Sequence, residues 1–231
     1  MKALILAAGL GTRLGELTRD MPKVLLTVKG EPILSMLINK ILKLGIEEIT
    51  VNTHFKSELV KSFIRNQEYS KYIDLVEEKE LLGTAGTLKQ FLMTFDNSDF
   101  MVMHGDNYFK DDLRSLVQFH ETDCSKSIMT MATFISNSPE RCGVVTHDSD
   151  GFVNGFYEKN SNPPSKVANA AIYIFKPMAV REILYLNNEE IDISKDLIPK
   201  LVGRFKTFPL NSGLIDIGTP IDYLIANQKE V

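Results

Sequence analysis

Four short apolar runs in the first half of the chain, near 2–7, 48–52, 73–77 and 100–104, alternate with stretches whose apolar residues recur at helical spacing. Ile33, Leu34, Leu37, Ile38, Ile41 and Leu42 form one such stripe, Leu59, Val60, Phe63 and Ile64 a second, and Leu88, Phe91 and Leu92 a third. Strands that are apolar along their whole length are covered on both faces, and helices between them supply the cover. The pattern predicts an α/β fold with a mostly parallel central sheet and helices on its faces.

Beyond residue 122 the pattern changes. Short β-rich runs at 127–134, 143–146, 152–157, 168–175 and 205–208 predict mixed and antiparallel strands, with helices near 177–186, 194–202 and 220–229. Asn160 to Ser165, rich in Asn, Ser and Pro, reads as a loop. No stretch of linker composition separates the halves, and 231 residues suit one large α/β domain. The expectation is a single domain, 1–231, whose 1–122 and 123–231 halves pack on one core.

A net charge of −4 supplies no field to gather nucleic acid, so affinity for anions has to come from local cations. Cys124 and Cys142 are the two cysteines, far apart, which supports neither a disulfide framework nor a zinc site. The apolar start, Ala3 to Leu10, is too short for a signal or membrane segment and is interrupted by Gly9 and Arg13. A cytoplasmic protein with no membrane partner is expected, and homo-oligomerisation is left open.

Small and charged residues gather where the first-half strands should end: Gly9 to Arg13, Asn52 to His54, Glu77 to Gly86, and Gly105 to Asn107. Open parallel sheets bind ligands at the carboxyl ends of their strands. The first cluster, Leu4-Ile5-Leu6-Ala7-Ala8-Gly9-Leu10-Gly11-Thr12-Arg13-Leu14, carries an apolar strand straight into two glycines. Backbone without Cβ approaches a phosphate closely with its N–H groups, and Arg13 and Lys23 add positive charge, so the loop reads as a nucleotide site. Leu14 stands where a dinucleotide fingerprint needs its third glycine, and no Gly-Lys-Ser/Thr occurs. A purely structural strand-to-helix turn also accounts for Gly9 and Gly11.

Two aspartates follow apolar runs: Asp106 after Phe100 to Gly105, and Asp216 within Leu214-Ile215-Asp216-Ile217-Gly218. Magnesium takes one or two carboxylates with phosphate and water, which suits this pair; a turn or capping role explains either one alone. Lys159, beside Glu158 at the end of a β-rich run, fits a second phosphate, with Glu158 accepting sugar hydroxyls; a solvated ion pair is the plainer alternative. His54, His104, His120 and His147 show no metal-ligand spacing, and no Gly-x-Ser-x-Gly is present, which argues against a covalent hydrolase.

Taken in order, these motifs resemble the sugar-1-phosphate nucleotidyltransferase family. Gly9 to Leu14, Leu17-Thr18 and Pro22-Lys23 match its opening, followed by Leu82 to Gly86, Gly105-Asp106, Cys142 to Val145, Glu158-Lys159, Asn169 to Tyr173 and Asp216 to Pro220. The resemblance implies a Rossmann-like three-layer α/β/α core with a smaller mixed, antiparallel sugar-binding part. It further implies a nucleoside triphosphate, Mg²⁺ and a sugar 1-phosphate as ligands. Triphosphate and nucleoside would be held by Leu6, Ala8, Gly9, Gly11, Thr12, Arg13, Lys23, Gly83, Thr84, Ala85 and Asp106, with Arg13 and Lys23 catalytic. Asp106 and Asp216 would hold the metal, and Gly143, Glu158, Lys159 and Asn169 the sugar phosphate. Three residues depart from the family pattern: Glu16 for proline, Cys142 for an aromatic and Ala171 for glycine. The last two lie near the expected sugar.

Glu80 to Thr87 looks most like the guanylyltransferase branch acting on mannose 1-phosphate or a manno-heptose 1-phosphate, which implies GTP. UTP, dTTP or CTP remain alternatives, as do a phosphocholine-type cytidylyltransferase and a non-catalytic nucleotide sensor. Many relatives of that branch append a β-helix; this chain ends soon after its last helix, so a second activity is not expected.

Overall fold

The structure, a computed structural model, describes residues 1–92, 98–122, 126–185 and 191–228. Nine strands form one sheet: β1 (Lys2–Leu6), β2 (Ile49–Thr53), β3 (Ile73–Glu77), β4 (Phe100–His104), β5 (Met129–Ile135), β6 (Gly143–His147), β7 (Val153–Glu158), β8 (Val167–Phe175) and β9 (Lys206–Pro209). The main path runs β7-β6-β8-β4-β1-β2-β3, and β5 pairs with β8 on one side and β9 on the other. β4, β1, β2 and β3 are parallel neighbours, whereas β8 meets β4, β5 and β6 antiparallel. The two halves therefore share one sheet, joined where Ile172 to Phe175 pair with Phe100 to Met103.

The period of two along β1 divides the core. Ala3 and Ile5 face a layer containing α1 (Ile33–Leu42), α2 (Ser57–Arg65), α4 (Arg114–Thr122) and α7 (Pro220–Gln228). Leu4 faces the other layer, with α3 (Thr84–Phe91), α5 (Pro177–Leu184) and α6 (Ile198–Leu201). In α1 the stripe Ile33, Leu34, Leu37, Ile38 and Ile41 is fully buried, as helical spacing requires of a core-facing helix. This three-layer α/β/α arrangement is the one the residue patterns and the family resemblance predicted.

Three local features differ from expectation. Residues 194–202 form not one helix but a π-helical turn, Ile193–Leu197, running into α6; Pro199 has no N–H to continue an α-helical ladder. Two short antiparallel ribbons, Thr27–Val28 with Glu31–Pro32 and Asn107–Tyr108 with Ile215–Asp216, are too brief to leave a periodic signal. Cys124, and positions 186 and 229 at the expected helix ends, lie outside the described residues.

Candidate active site

β1 and β4 end side by side, Leu6 opposite His104. Gly105 then donates its N–H to Leu6 O at 2.9 Å, and a Cβ on Gly105 would lie only 2.8 Å from that oxygen. Glycine is what lets β4 turn tightly over the first strand and present Asp106. The ribbon pairs Asn107 with Asp216, and Ile217 N–H donates to Asp106 O at 3.0 Å, so two carboxylates 110 residues apart share one spot.

Lys23 sits between them. It opens a short 3-10 turn after Pro22, is 8% exposed, and its Nζ lies 2.5 Å from Asp106 Oδ2 and 3.5 Å from Asp216 Oδ1. Burial pushes the Asp106 carboxyl upward, but the Lys23 ammonium and His104 outweigh it and hold it below the usual carboxylate range. Asp216 goes the other way: burial, then the neighbouring Asp106, push it up, against the pull of Lys23 and Arg13. The Arg13 guanidinium reaches the same place, with Nη2 2.9 Å from where a Cβ on Gly218 would stand. One ammonium thus faces two carboxylates that repel each other. Such a hard-oxygen pair fits a divalent cation completed by phosphate and water. Among the described residues no cluster of three or more acidic, His or Cys side chains exists to cage a metal by protein alone.

Beside this pair opens a cavity of about 260 Å³. Leu6, Ala8, Gly9, Gly83, Thr84 and Asp106, all expected at the nucleotide, line it. Gly9 leaves open space where a Cβ would stand, so a ligand can reach its backbone. Gly11 is a turn residue instead, at φ +66° with Thr18 Oγ1 donating to its carbonyl at 2.9 Å. Thr12 faces a separate shallow depression with Leu10, Gly15, Thr18, Arg19 and Phe55. Ala85 is not in the cavity wall: it is fully buried, and its N–H donates to Ile191 O at 2.9 Å.

On the second-half side, Glu158 lies against Gly143, whose absent Cβ would be 2.6 Å from Glu158 Oε2. Burial pushes the Glu158 carboxyl up, Lys159 and Lys195 pull it down, and Asp192 pushes it up. Lys159 is exposed, in the left-handed region at φ +48°, with its N–H donating to Cys142 O at 3.0 Å. Asn169 holds the kink in β8: its Oδ1 accepts from Ala171 N–H at 2.8 Å while Nδ2 donates to Tyr173 Oη at 2.8 Å and Ser194 Oγ at 3.4 Å. Burial raises the Cys142 thiol pKa, which keeps it protonated.

The cavity also contains residues that the sequence reading did not assign: Asn52, Glu78, Leu81, Thr87, His104 and Asp192. Asn52 Oδ1 accepts from Ala7 N–H at 2.6 Å, and its Nδ2 donates to Glu78 Oε1 at 2.8 Å, tying the glycine loop to the far wall. Thr87 Oγ1 donates to the same Glu78 oxygen. Asn52 and Glu78 both stand at strand ends, a positional signal present in the sequence. Asp192 carried no such signal.

A glycine loop, a buried lysine and two carboxylates thus meet at the carboxyl ends of the parallel strands, a donor set whose chemistry fits phosphate oxygens and a divalent cation. Residues 2–231 match the family model described as Nucleotidyl transferase, and the chain belongs to that family. It is 35% identical over 232 residues to the bifunctional protein GlmU of Methanococcus aeolicus, covering 98% of this chain and 54% of that one. It is 32% identical over 231 residues to the mannose-1-phosphate guanylyltransferase catalytic subunit beta of Danio rerio, covering 97% and 63%. The chain thus spans a little over half to under two thirds of these relatives' length. Among solved structures, HddC from Yersinia pseudotuberculosis complexed with GMP-PN superposes with a TM-score of 0.80 at 27% identity, covering 98% of both chains. A Bacillus anthracis protein assigned as a glucose-1-phosphate thymidylyltransferase, in complex with a sucrose, superposes with a TM-score of 0.87 at 25% identity, covering 98% and 94%.

Proposed function

We propose that the protein joins GTP to a sugar 1-phosphate, giving a GDP-sugar and pyrophosphate. The observation that carries this reading is Lys23, buried between Asp106 and Asp216, with Asp106 and the open backbone at Gly9 lining the same cavity. An oxygen of the sugar 1-phosphate attacks the α-phosphorus in line, the bond from that phosphorus to the α,β-bridging oxygen breaks, and pyrophosphate leaves. Two polyanions have to approach, so the residues' work is to lower repulsion and hold attack geometry. Arg13 and Lys23 do this on the triphosphate and Lys159 on the sugar phosphate, while Glu158 and Asn169 line the sugar side. Mg²⁺ bound by Asp106 and Asp216 would neutralise further phosphate charge as a Lewis acid. The division of labour follows the halves, 1–122 for the nucleotide and 123–231 for the sugar phosphate.

Glu78 favours guanine. It is 5% exposed, lines the cavity, and Oε1 takes the bonds from Asn52 and Thr87 while Oε2 takes none among the described residues. An ionised carboxylate only accepts, and guanine offers adjacent N1–H and N2–H₂ donors; uracil and thymine flank their single N–H with two carbonyls. The guanylyltransferase name of the zebrafish relative and the GMP-PN complex of HddC support the same base. The free thiol of Cys142 suits a cytoplasmic address.

The test mixes the protein with each nucleoside triphosphate, Mg²⁺ and a panel of sugar 1-phosphates, and follows pyrophosphate. Release with GTP and a hexose or heptose 1-phosphate is expected. GTP binding without release makes the protein a sensor; release only from CTP with a phospho-alcohol makes it a cytidylyltransferase.

A further inference from the structure

Among the described residues, Asp192 is the one carboxylate of the cavity that belongs to the second half of the chain and is not in the metal pair. Its Oδ1 accepts from Ser194 N–H at 2.8 Å and Lys195 N–H at 3.1 Å, and its Oδ2 accepts from Thr84 Oγ1 at 3.0 Å. Thr84 in turn accepts from Ile193 N–H at 2.7 Å, so the start of α3 and the segment after residue 190 are clasped together. Ser194, two residues on, receives the bond from Asn169. On the opposite side Asp192 is close enough to Glu158 for their like charges to interact. The carboxylate therefore lines the cavity from the second half of the chain, with Glu158 and, through Ser194, Asn169 as its neighbours on the side assigned to the sugar.

The geometry points to Asp192 as a specificity-determining residue that accepts a hydrogen bond from one ring hydroxyl of the sugar 1-phosphate. This rests on the transferase reading and adds a demand on the sugar: a free hydroxyl at that ring position. Oδ1 is committed to two backbone donors, and Oδ2, with a single protein donor, has a lone pair left for the ligand. A deoxy or O-methylated sugar leaves that lone pair without a donor, and sites that are built around a hydroxyl reject analogues lacking it.

Asp192→Asn separates this role from a structural one. Asparagine caps as well as aspartate, so its oxygen stays on Ser194 and Lys195 N–H and its amide NH₂ turns toward Thr84 and the cavity, replacing an acceptor by a donor. Pyrophosphate release with GTP is measured against the preferred hexose 1-phosphate and its monodeoxy analogues, with thermal unfolding as a folding control. The expected result is an unchanged melting temperature, a KM for GTP within about 3-fold, and a KM for the sugar phosphate raised about 10-fold or more, in line with loss of one ligand hydrogen bond. For one monodeoxy analogue, poor with the native protein, the variant should show no further loss. Equal sugar KM in both proteins overturns the assignment. So does a penalty that falls on GTP and vanishes with 2′- or 3′-deoxy-GTP, which moves Asp192 to the ribose. A variant that fails to fold makes Asp192 structural and overturns it too. Absence of pyrophosphate from every native pair refutes the transferase reading and this one with it, whereas normal release with an indifferent variant refutes this one alone.

Discussion

Two glycines of the proposed nucleotide cavity, Gly83 and Gly9, are matched in expected role and opposite in physical need, and substituting each by alanine tests the site's construction. Gly83 stands at φ +73°, ψ 167°, a region essentially closed to residues with a Cβ, which costs about 1–3 kcal/mol. Its added Cβ would also lie 2.4 Å from Ile191 O and 2.9 Å from Ile191 N. Those are backbone atoms already held by Ile191 N–H donating to Leu82 O at 3.2 Å and by Ala85 N–H donating to Ile191 O, so they cannot swing aside. Overpacking of this kind adds about 1–3 kcal/mol. With both terms, Gly83→Ala should lose about 2–6 kcal/mol, and for a chain of this size each kcal/mol is worth about 2–4 °C, so a fall of roughly 5–20 °C is expected. Gly9 has no positive φ, and its Cβ would meet nothing within 4 Å. Gly9→Ala should hold stability within about 0.5 kcal/mol, as at an open surface site. It should instead cost about 10-fold or more in kcat/KM for GTP, because the methyl would fill the space that the proposed function gives to the triphosphate and hold it off the backbone donors. Thermal unfolding by circular dichroism and pyrophosphate release read the two effects separately. A Gly83→Ala protein melting within 2 °C of the native one, by that same ~1 kcal/mol scale, or a Gly9→Ala protein with native kcat/KM, refutes the reasoning.

Asp106→Asn or Lys23→Ala should lower turnover by at least ~100-fold at saturating Mg²⁺, the loss of one pre-aligned electrostatic group; native turnover in both, by the same assay, removes them from the chemistry. His120, 1% exposed, has its pKa lowered by burial even though Asp99, 3.1 Å from Nε2, pulls it up. The folded state therefore binds the proton less readily than the unfolded one. Stability from this group is complete above about pH 6.5 and falls as pH drops through the window between the unfolded and folded values. Urea unfolding from pH 7.5 to 5 should show that decline, and His120→Gln should flatten it; equal slopes contradict the assignment. Ala171 holds φ +50° in the kink of β8, which for an L-residue costs about 1–2 kcal/mol, against about 0.5–1 kcal/mol of extra chain entropy for glycine. Ala171→Gly should raise the melting temperature by about 1–4 °C; a fall would mean that the lost methyl packing outweighs the relief.

The legible and illegible parts of this protein divide by the range of the interaction. β1 to β4 and the stripe on α1 were visible because burial on both faces, or on one helical face, writes a period of a few residues into the chain. The carboxyl ends of those strands followed from the same periods, and with them the neighbourhoods of Gly9, Asn52, Glu78 and Asp106. What these residues do to one another was not visible. Asn52 joins Ala7 to Glu78 across 45 and 26 residues, and the ribbon that sets Asp216 beside Asn107 is two residues long on each side. Asp192 reads locally as a capping residue before Ser194 and Lys195, which it is; that it also reaches Thr84, 108 residues away, depends on how the segment after residue 190 crosses Gly83. Gly83 in turn is needed because Ile191 backbone passes where a Cβ would stand. A glycine in a loop at strand ends can thus leave open space, as Gly9 does and as the proposed triphosphate needs, or make room for another stretch of chain, as Gly83 does. Sequence spacing alone gives both the same appearance, because the requirement lies in the space that the rest of the molecule leaves around each.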